Sequence, residues 1–253
     1  MDRGFHLPDN ELFFRVILFH VPIVVCMRRL GNHVGQNLQL GPLQRTLGAM
    51  SDSQNIAGII LAAGIGQRLE MGPKAFVEIN GETLLNRAIK TLRGAGVSDI
   101  IAVLPPSKLG PNAVKWTNNM RPESGPLGSV LAGIKKLEGT APLTFVYPVD
   151  HALVQIESLV TLITTARSKL PDDASFLSPT WRDKAGHPIL LLPKTIQLLR
   201  DYALQPGDTL RTALNAIGPP YSVPVLSEGI LHNINNRGDF DRAEKQLRDG
   251  VTD

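Results

Sequence analysis

From Ile56 onward, short apolar runs alternate with longer segments whose apolar residues recur at helical spacing. The run Ile56–Leu61 is apolar and β-branched, as a strand covered on both faces requires, and Asp99–Leu104 and residues 143–149 are similar. The segments between and after these runs predict helices over residues 83–93, 127–137 and 156–169. This alternation predicts an α/β protein: a three-layer α/β/α fold with a mostly parallel, Rossmann-like sheet. Its ligand crevice is expected at the carboxyl ends of the strands.

The first 49 residues do not follow this pattern. Their apolar run, residues 12–27, is interrupted by Arg15, His20 and Pro22, and is too short and too broken to span a bilayer. The acidic residues near the start do not suit a signal peptide. The alternative is a segment that lies on a membrane surface, but the pattern is not a clean amphipathic helix, and we expect no membrane association. Because Met50 stands just before the first core strand, we predict a domain over residues 50–253. Residues 1–49 would be an N-terminal extension, either disordered or the product of a misassigned start codon.

Composition narrows the function. Hydrophobic residues make up 43% of the 253 residues, which is enough for a large core. Of the 26 basic and 23 acidic residues, 21 and 20 lie in residues 50–253, so this part is nearly balanced and has no excess of basic charge for nucleic-acid binding. The only cysteine, Cys26, lies outside it, which excludes core disulfides and thiol nucleophiles. We predict a reducing, cytoplasmic location.

The strongest candidate for chemistry is the loop that follows the first strand. Gly64 and Gly66 let backbone amides turn toward an anion, Arg68 adds a planar fork of donors and Lys74 adds a mobile charge. This combination predicts a triphosphate site. The predicted nucleotide-binding residues here are Leu61, Ala62, Ala63, Gly64, Gly66, Arg68 and Lys74. The alternative is a glycine-rich turn with solvated Arg68 and Lys74.

Two common phosphate loops are excluded by spacing. A Walker loop has four residues between its glycines and then Lys-Ser/Thr, whereas five residues separate Gly66 from Gly72 and Pro73 follows. A dinucleotide fingerprint would have a third glycine where Leu69 stands.

The motif of residues 61–68, continued by Pro73-Lys74 and residues 79–89, resembles the signature of nucleotidyltransferases related to the molybdopterin guanylyl- and cytidylyltransferases. The resemblance runs from about residue 56 to about residue 247. It implies a fold of the nucleotide-diphospho-sugar transferase type. It also implies Mg²⁺-dependent transfer of CMP or GMP from CTP or GTP to a phosphorylated acceptor such as molybdopterin, with release of pyrophosphate. Whether the protein is a monomer or a homodimer is left open.

Asp150 is the candidate metal ligand. It follows the apolar run 143–149, and a carboxylate at the end of a buried strand projects into the crevice, where it needs a cation. Mg²⁺ binds through one or two carboxylates plus substrate phosphates. The resembled family carries a metal-binding aspartate in this Pro-x-Asp pattern. It implies Arg68, Lys74 and Asp150 as catalytic residues. The alternative for Asp150 is a helix cap.

Three further segments contribute candidates. Gly125 and Ser129 precede or begin a helix and would leave room for the nucleotide, although Ser129 and Gly133 could instead provide a packing face. Gly186-His187-Pro188 resembles an element of the cytidylyltransferase-like branch, which places His187 on the acceptor side. His187 could equally be a turn residue.

The late segment 233–240 resembles the family's last motif. It suggests Asn235 as a second, weaker metal ligand because an amide replaces the usual carboxylate. Asp239 is expected to stabilise the start of the last helix. Two other functions remain open: a sugar-phosphate nucleotidyltransferase, and a nucleotide-binding regulatory or chaperone-like domain without turnover.

Overall fold

A computed structural model describes residues 11–18, 21–28, 56–64, 66, 69, 71–138, 143–168 and 170–250. The chain divides into two compact units, Met1–Asp52 and Ser53–Asp253. In the first unit, β1 (Glu11–Leu18) and β2 (Val21–Arg28) pair antiparallel, with Glu11 opposite Arg28. The prediction that residues 1–49 are a separate extension, either disordered or due to a misassigned start, stays a prediction.

The second unit is built on an eight-stranded mixed sheet. Its parallel half consists of β3 (Ile56–Leu61), β6 (Asp99–Leu104), β7 (Lys115–Asn118) and β8 (Leu143–Pro148), in the order β8-β3-β6-β7. The other half contains β9 (Phe176–Trp181), β10 (Lys184–Ala185), β11 (Ile189–Leu191) and β12 (Pro220–Pro224). There β11 runs antiparallel to both β8 and β9, and β12 lies parallel to β9. The predicted three-layer, mostly parallel fold is confirmed.

The alternation of side chains explains why the central strands are apolar throughout. In β3, Ile56 and Ile60 face one core, whereas Ala57 and Ile59 face the other. The first face is covered by α1 (Leu84–Gly94), α3 (Ile156–Ala166) and α6 (Arg237–Asp249). The second is covered by α2 (Gly125–Ile134), α4 (Pro193–Arg200) and α5 (Leu210–Ile217). A strand covered on both faces has no polar side to show in its sequence.

The predicted strands Ile56–Leu61 and Asp99–Leu104 occur at the predicted residues, whereas helix ends differ by a few positions. The helix α2 spans Gly125–Ile134 rather than residues 127–137, and α3 ends at Ala166 rather than residue 169. In α2, Pro126 lies in the first turn, where the missing amide hydrogen has no intrahelical partner to lose, so the helix extends over the Gly-Pro pair. Thr83 is the N-cap of α1 and accepts from the Asn86 amide at 3.2 Å.

The chain order brings the ends of two central strands to a switch point. After β3 the chain passes over one face through α1 to β6, and after β7 it returns over the other face through α2 to β8. A crevice therefore opens between the carboxyl ends of β3 and β8, where ligands of such sheets bind. A short hairpin, β4 (Glu78–Ile79) with β5 (Glu82–Thr83), precedes α1. Among the helices that the structure describes, none has the length and apolar character needed to cross a membrane.

Candidate active site

The glycine loop leaves the end of β3 and returns to it. The Ala62 amide donates to the Val103 carbonyl at 2.9 Å, and the Lys74 amide donates to the Gly64 carbonyl at 3.3 Å, which closes the loop. Gly66 has a φ of +67°, and a Cβ there would collide with the Gly72 carbonyl oxygen, so this position requires glycine. Among the described residues, nothing lies within 4 Å of the position that a Cβ on Gly64 would take. Arg68 lies outside the described residues.

Three side chains meet at the carboxyl edge of the sheet. Lys74 Nζ donates to Asp150 Oδ2 at 2.7 Å and to Asn235 Oδ1 at 2.9 Å. The side chains of Lys74 and Asp150 are only 15% and 19% exposed, so their attraction is screened less than that of a surface pair. The alternative in which Lys74 is merely solvated does not fit this arrangement.

Asp150 is held by the ends of two strands. The Val149 amide donates to the Leu61 carbonyl at 3.2 Å, which joins the end of β8 to the end of β3. The Ile234 amide donates to the Asp150 carbonyl at 2.9 Å and brings the late segment alongside. Asp150 is not a helix cap, because the next helix, α3, begins only at Ile156 and has Gln155 at its N-cap position.

The late segment places Asn235 by capping the last helix. Asn236 is the N-cap of α6 and forms a reciprocal capping box with Asp239. Asp239 Oδ2 also accepts from the Asn235 amide at 3.0 Å. The expected structural role of Asp239 is therefore confirmed, and its contacts fix the backbone that carries Asn235.

The donor set at this point fits a divalent cation. Asp150 Oδ2 and Asn235 Oδ1 both lie within 3 Å of one ammonium nitrogen, so two hard oxygen atoms converge on a single cationic position. Within the described parts of the chain, no group of three or more His, Cys, Asp or Glu residues could hold a metal. One carboxylate and one amide suit Mg²⁺, which keeps waters and substrate phosphates as its other ligands.

Two histidines stack beneath this edge. His151 is 5% exposed, its ring lies 5.1 Å from that of His187, and its Nδ1 is 3.4 Å from the His232 carbonyl oxygen. Burial lowers the pKa of His151 to about 4, and burial also lowers the pKa of His187. His151 therefore has the packing and hydrogen-bonding role expected of it. The Nδ1 atom of His187 is buried, and among the described residues it has no hydrogen-bond partner.

The start of α2 forms a second polar corner. Asn119 follows β7, is buried, and its Nδ2 donates to Ser129 Oγ at 3.1 Å. Asn119 Oδ1 accepts from the Arg121 amide at 2.9 Å, and Gly125 has a φ of +58°. Gly133 is a packing residue, since a Cβ there would lie 2.5 Å from Ile59 Cγ2.

A cavity of about 1070 Å³ joins these features. The predicted site residues that line it are Leu61, Ala63, Gly64, Lys74, Gly125, Ser129, Asp150 and His187. Ala62 and Gly66 are absent from its wall, and Asn235 reaches the site through its hydrogen bond to Lys74. The structure thus brings together most of the residues predicted to form the site.

The sequence did not single out several lining residues on the far side of the cavity. They come from β9, β12 and the start of α5, and include Phe176, Ser178, Thr209, Arg211, Asn215 and Ser222. Asp208-Thr209 before an apolar segment is a helix-start pattern that could have indicated α5. No local pattern indicates that α5 lines the site, because that depends on how the sheet is ordered.

The fold, with a glycine loop and a strand-end carboxylate at one edge, defines a class of α/β proteins that bind ligands at the carboxyl ends of their strands. The model of the MobA-like NTP transferase domain matches residues 58–219. This match spans more than half of the chain, so the protein belongs to the MobA-like NTP transferase family.

Similar proteins agree with this assignment. The bifunctional enzyme IspD/IspF of Clavibacter michiganensis subsp. michiganensis is 27% identical over 136 residues, 49% of this chain but only 33% of that protein. Rv0371C of Mycobacterium tuberculosis, in complex with manganese, superposes with a TM-score of 0.57 at 15% identity, covering 76% of this chain and 98% of that one. The 2-C-methyl-D-erythritol 4-phosphate cytidylyltransferase of Thermus thermophilus gives 0.55 at 20% identity, with 76% and 98% covered. At these identities the structural likeness concerns the fold.

Proposed function

We propose that this protein transfers a nucleotidyl group from a nucleoside triphosphate to a phosphorylated small-molecule acceptor, with release of pyrophosphate. The observation that carries the proposal is the convergence of Asp150 and Asn235 on Lys74 at the open end of the sheet, beside the glycine loop. A partly buried carboxylate such as that of Asp150 would destabilise the protein if no cation faced it. The arrangement instead suits a cation and a polyphosphate that arrive together.

The reaction we infer is an in-line displacement. An oxygen atom of the acceptor phosphate attacks the α-phosphorus, a new P–O bond forms, and the bond between the α-phosphorus and the bridging oxygen breaks as pyrophosphate leaves. Such a transfer depends on positioning and charge neutralisation rather than on a covalent intermediate. Lys74, together with Arg68, would neutralise the charge that develops on the leaving pyrophosphate. The amide of Gly64 and the cavity beside it would admit the triphosphate.

The residues that would hold the divalent cation are Asp150 and, more weakly, Asn235. A bound Mg²⁺ would supply charge neutralisation and orientation of the phosphate groups. In this structure, the Lys74 ammonium group donates hydrogen bonds to both of these side-chain oxygen atoms. Its flexible side chain lets the ammonium group move from those oxygens toward phosphate oxygens. The manganese complex of the mycobacterial protein with the same fold supports a divalent-metal requirement.

The substrates we propose are CTP, in preference to GTP, and an acceptor such as molybdopterin, which would place the protein in molybdenum cofactor biosynthesis in the cytoplasm. The preference for CTP rests on the Gly186-His187-Pro188 element and on the likeness to a cytidylyltransferase fold. Asn119 and Ser129 border the cavity at the start of α2, which supports our proposal that the base and ribose bind there. We assign this function to residues 50–253, with residues 1–49 dispensable.

The experiment that tests the proposal is a screen of the four nucleoside triphosphates against phosphorylated acceptors, with Mg²⁺, by pyrophosphate release. We expect release only when an acceptor is present, and faster with CTP than with GTP. Release without an acceptor would indicate hydrolysis instead of transfer. Binding of triphosphates without release under any condition would favour a regulatory domain, and turnover confined to sugar phosphates would favour the sugar-phosphate alternative.

A further inference from the structure

The cavity has a second region that the nucleotide loop does not explain. One region is formed by the glycine loop, Lys74 and the start of α2. The other is formed by β9, β11, β12 and the first turn of α5. Because β11 runs antiparallel to β8, the start of β11 and His187, two residues before it, also lie at the carboxyl edge. The cavity is therefore lined by residues from both halves of the sheet.

The charged groups of this wall are few. Among the described lining residues, the only carboxylate is Asp150 and the only fixed cations are Lys74 and Arg211. Lys74 is already bound to Asp150 and Asn235. Within the part of the chain that the structure describes, Arg211 makes no ion pair. A guanidinium without a carboxylate that borders the cavity is thus available to an anion from outside.

The position of Arg211 is fixed by the helix that carries it. Thr209 is the N-cap of α5, and Thr209 Oγ1 accepts from the Thr212 amide at 3.1 Å while Thr212 Oγ1 accepts from the Thr209 amide at 2.9 Å. The next residues, Ala213 and Leu214, are buried against the sheet. This anchoring orients the first turn, and the exposed Arg211 lies on its cavity side.

The surroundings of Arg211 are mainly apolar. Phe176, Ile189, Leu210 and Leu214 border the same region. Apolar walls lower the local dielectric constant when a ligand excludes water, which strengthens a contact between a guanidinium and a phosphate. Ser178, Thr209, Asn215 and Ser222 also border this wall and add a few hydrogen-bonding groups. This combination suits a phosphate group attached to an apolar or planar molecule.

We propose that Arg211 is the specificity-determining residue that binds the phosphate of the second substrate. The inference rests on the proposed function, because transfer requires two anionic substrates in one cavity and Lys74 with the glycine loop accounts for only one of them. The planar guanidinium can donate two parallel hydrogen bonds to a phosphate dianion. Arg211 would hold the acceptor at one end of the cavity while the triphosphate occupies the other.

The test uses the full chain with Mg²⁺ and α,β-methylene-CTP, which cannot release pyrophosphate. Binding of 1-naphthyl phosphate and of 1-naphthol is measured by calorimetry for the wild-type protein, Arg211→Gln, Arg211→Lys and the control Arg248→Gln. Arg248 is exposed near the end of α6 and does not border the cavity. We expect Arg211→Gln to weaken 1-naphthyl phosphate binding about tenfold or more. Arg211→Lys should recover part of this loss, and 1-naphthol binding should stay unchanged.

Unchanged binding of 1-naphthyl phosphate by Arg211→Gln would overturn the inference, as would its failure to bind the wild-type protein. A loss of nucleotide-analogue affinity in Arg211→Gln, with naphthyl phosphate unaffected, would assign the arginine to the triphosphate and overturn it too. The same titration without nucleotide separates the two proposals. If the wild-type protein bound no analogue but Arg211 still governed naphthyl phosphate, the proposed function would fail while the anion site stood.

Discussion

The parallel half of the sheet and the mixed half contribute different kinds of residues to the candidate site. The parallel half, β3, β6, β7 and β8, presents strand ends at one edge and supplies the glycine loop and Asp150. The mixed half, β9 to β12, includes the two-residue β10 and a β12 bounded by Pro220 and Pro224. In the parallel half, the order of the strands places charged side chains at one edge of the sheet. The mixed half forms a largely apolar wall of the cavity. We infer that the first half carries the shared chemistry and the second decides which acceptor is used.

The most severe test of the parallel half is Asp150→Asn. We expect turnover to fall by about 1000-fold, because the charge that would hold the divalent cation is removed while side-chain size is kept. The fold should remain, since the backbone contacts of Asp150 do not involve its carboxylate. Steady-state kinetics and thermal melts check this. Asp172→Asn, in an exposed loop, is the control and should stay fully active. An equally active Asp150→Asn protein would remove the metal-binding role.

Lys74→Ala tests whether the lysine acts on the triphosphate or only balances Asp150. We expect a loss of transition-state stabilisation on the order of 2–4 kcal/mol, larger in kcat than in nucleotide affinity. Lys245→Ala, an exposed position on α6, should change neither quantity. The same loss is predicted for Arg68→Ala. If Lys74→Ala reduced only stability and left kcat intact, the lysine would be a structural counter-ion for Asp150.

The two loop glycines allow conformation and ligand contact to be separated. Gly66→Ala should destabilise the protein by about 1–3 kcal/mol, because the position has a positive φ and no room for a Cβ. Gly64→Ala should leave the melting temperature nearly unchanged, since no described residue lies within 4 Å of the added atom. It should nevertheless weaken triphosphate binding if phosphates approach the backbone there. Unchanged binding measured by calorimetry for Gly64→Ala would contradict this placement of the triphosphate.

A pH-dependent effect on stability is predicted for the buried His151. Burial lowers its pKa in the folded protein to about 4, below the ordinary value of 6.5, so the unfolded chain takes up the proton first as the pH falls. The free energy of unfolding is therefore unaffected by His151 above pH 6.5, where the residue is neutral in both states. It falls as the pH is lowered from 6.5 toward 4. Between pH 7 and pH 5 the free energy of unfolding should decrease by about 2 kcal/mol through this residue.

Urea unfolding at the two pH values measures this loss in the wild-type protein and in His151→Gln, which cannot titrate at this position. The variant should lose less stability on acidification, whatever its stability at pH 7. Equal losses in the two proteins would mean that His151 does not contribute.

The two halves also differ in how far the sequence predicts them. The parallel strands are predictable because a strand buried on both faces is a compact apolar run, as in Ile56–Leu61 and Asp99–Leu104. In β9, Ser178 and Pro179 interrupt that signal. The helix α5 has a recognisable start at Thr209, but its place beside the cavity follows from the order of β8, β11 and β9, which no local pattern reveals.

The residues of the candidate site that follow strands of the parallel half were predictable from the sequence, whereas most of those of the mixed half were not. Gly64, Lys74 and Asp150 follow strand ends, and parallel topology brings such ends together. Asn235 lies 161 residues from Lys74, and its place there was suggested by family resemblance rather than by periodicity. Arg211 carries no motif at all, so only the assembled cavity indicates it.

The central claim is that the carboxyl edge of the parallel half holds a divalent cation together with a nucleotide. Titration of Mn²⁺ by electron paramagnetic resonance, with and without α,β-methylene-CTP, tests it most directly. We expect one Mn²⁺ to bind per chain, more tightly with the nucleotide analogue. Asp150→Asn should abolish this binding, and Asn235→Ala should weaken it less. Mn²⁺ binding by Asp150→Asn with the affinity of the wild-type protein, under the same conditions, would contradict it.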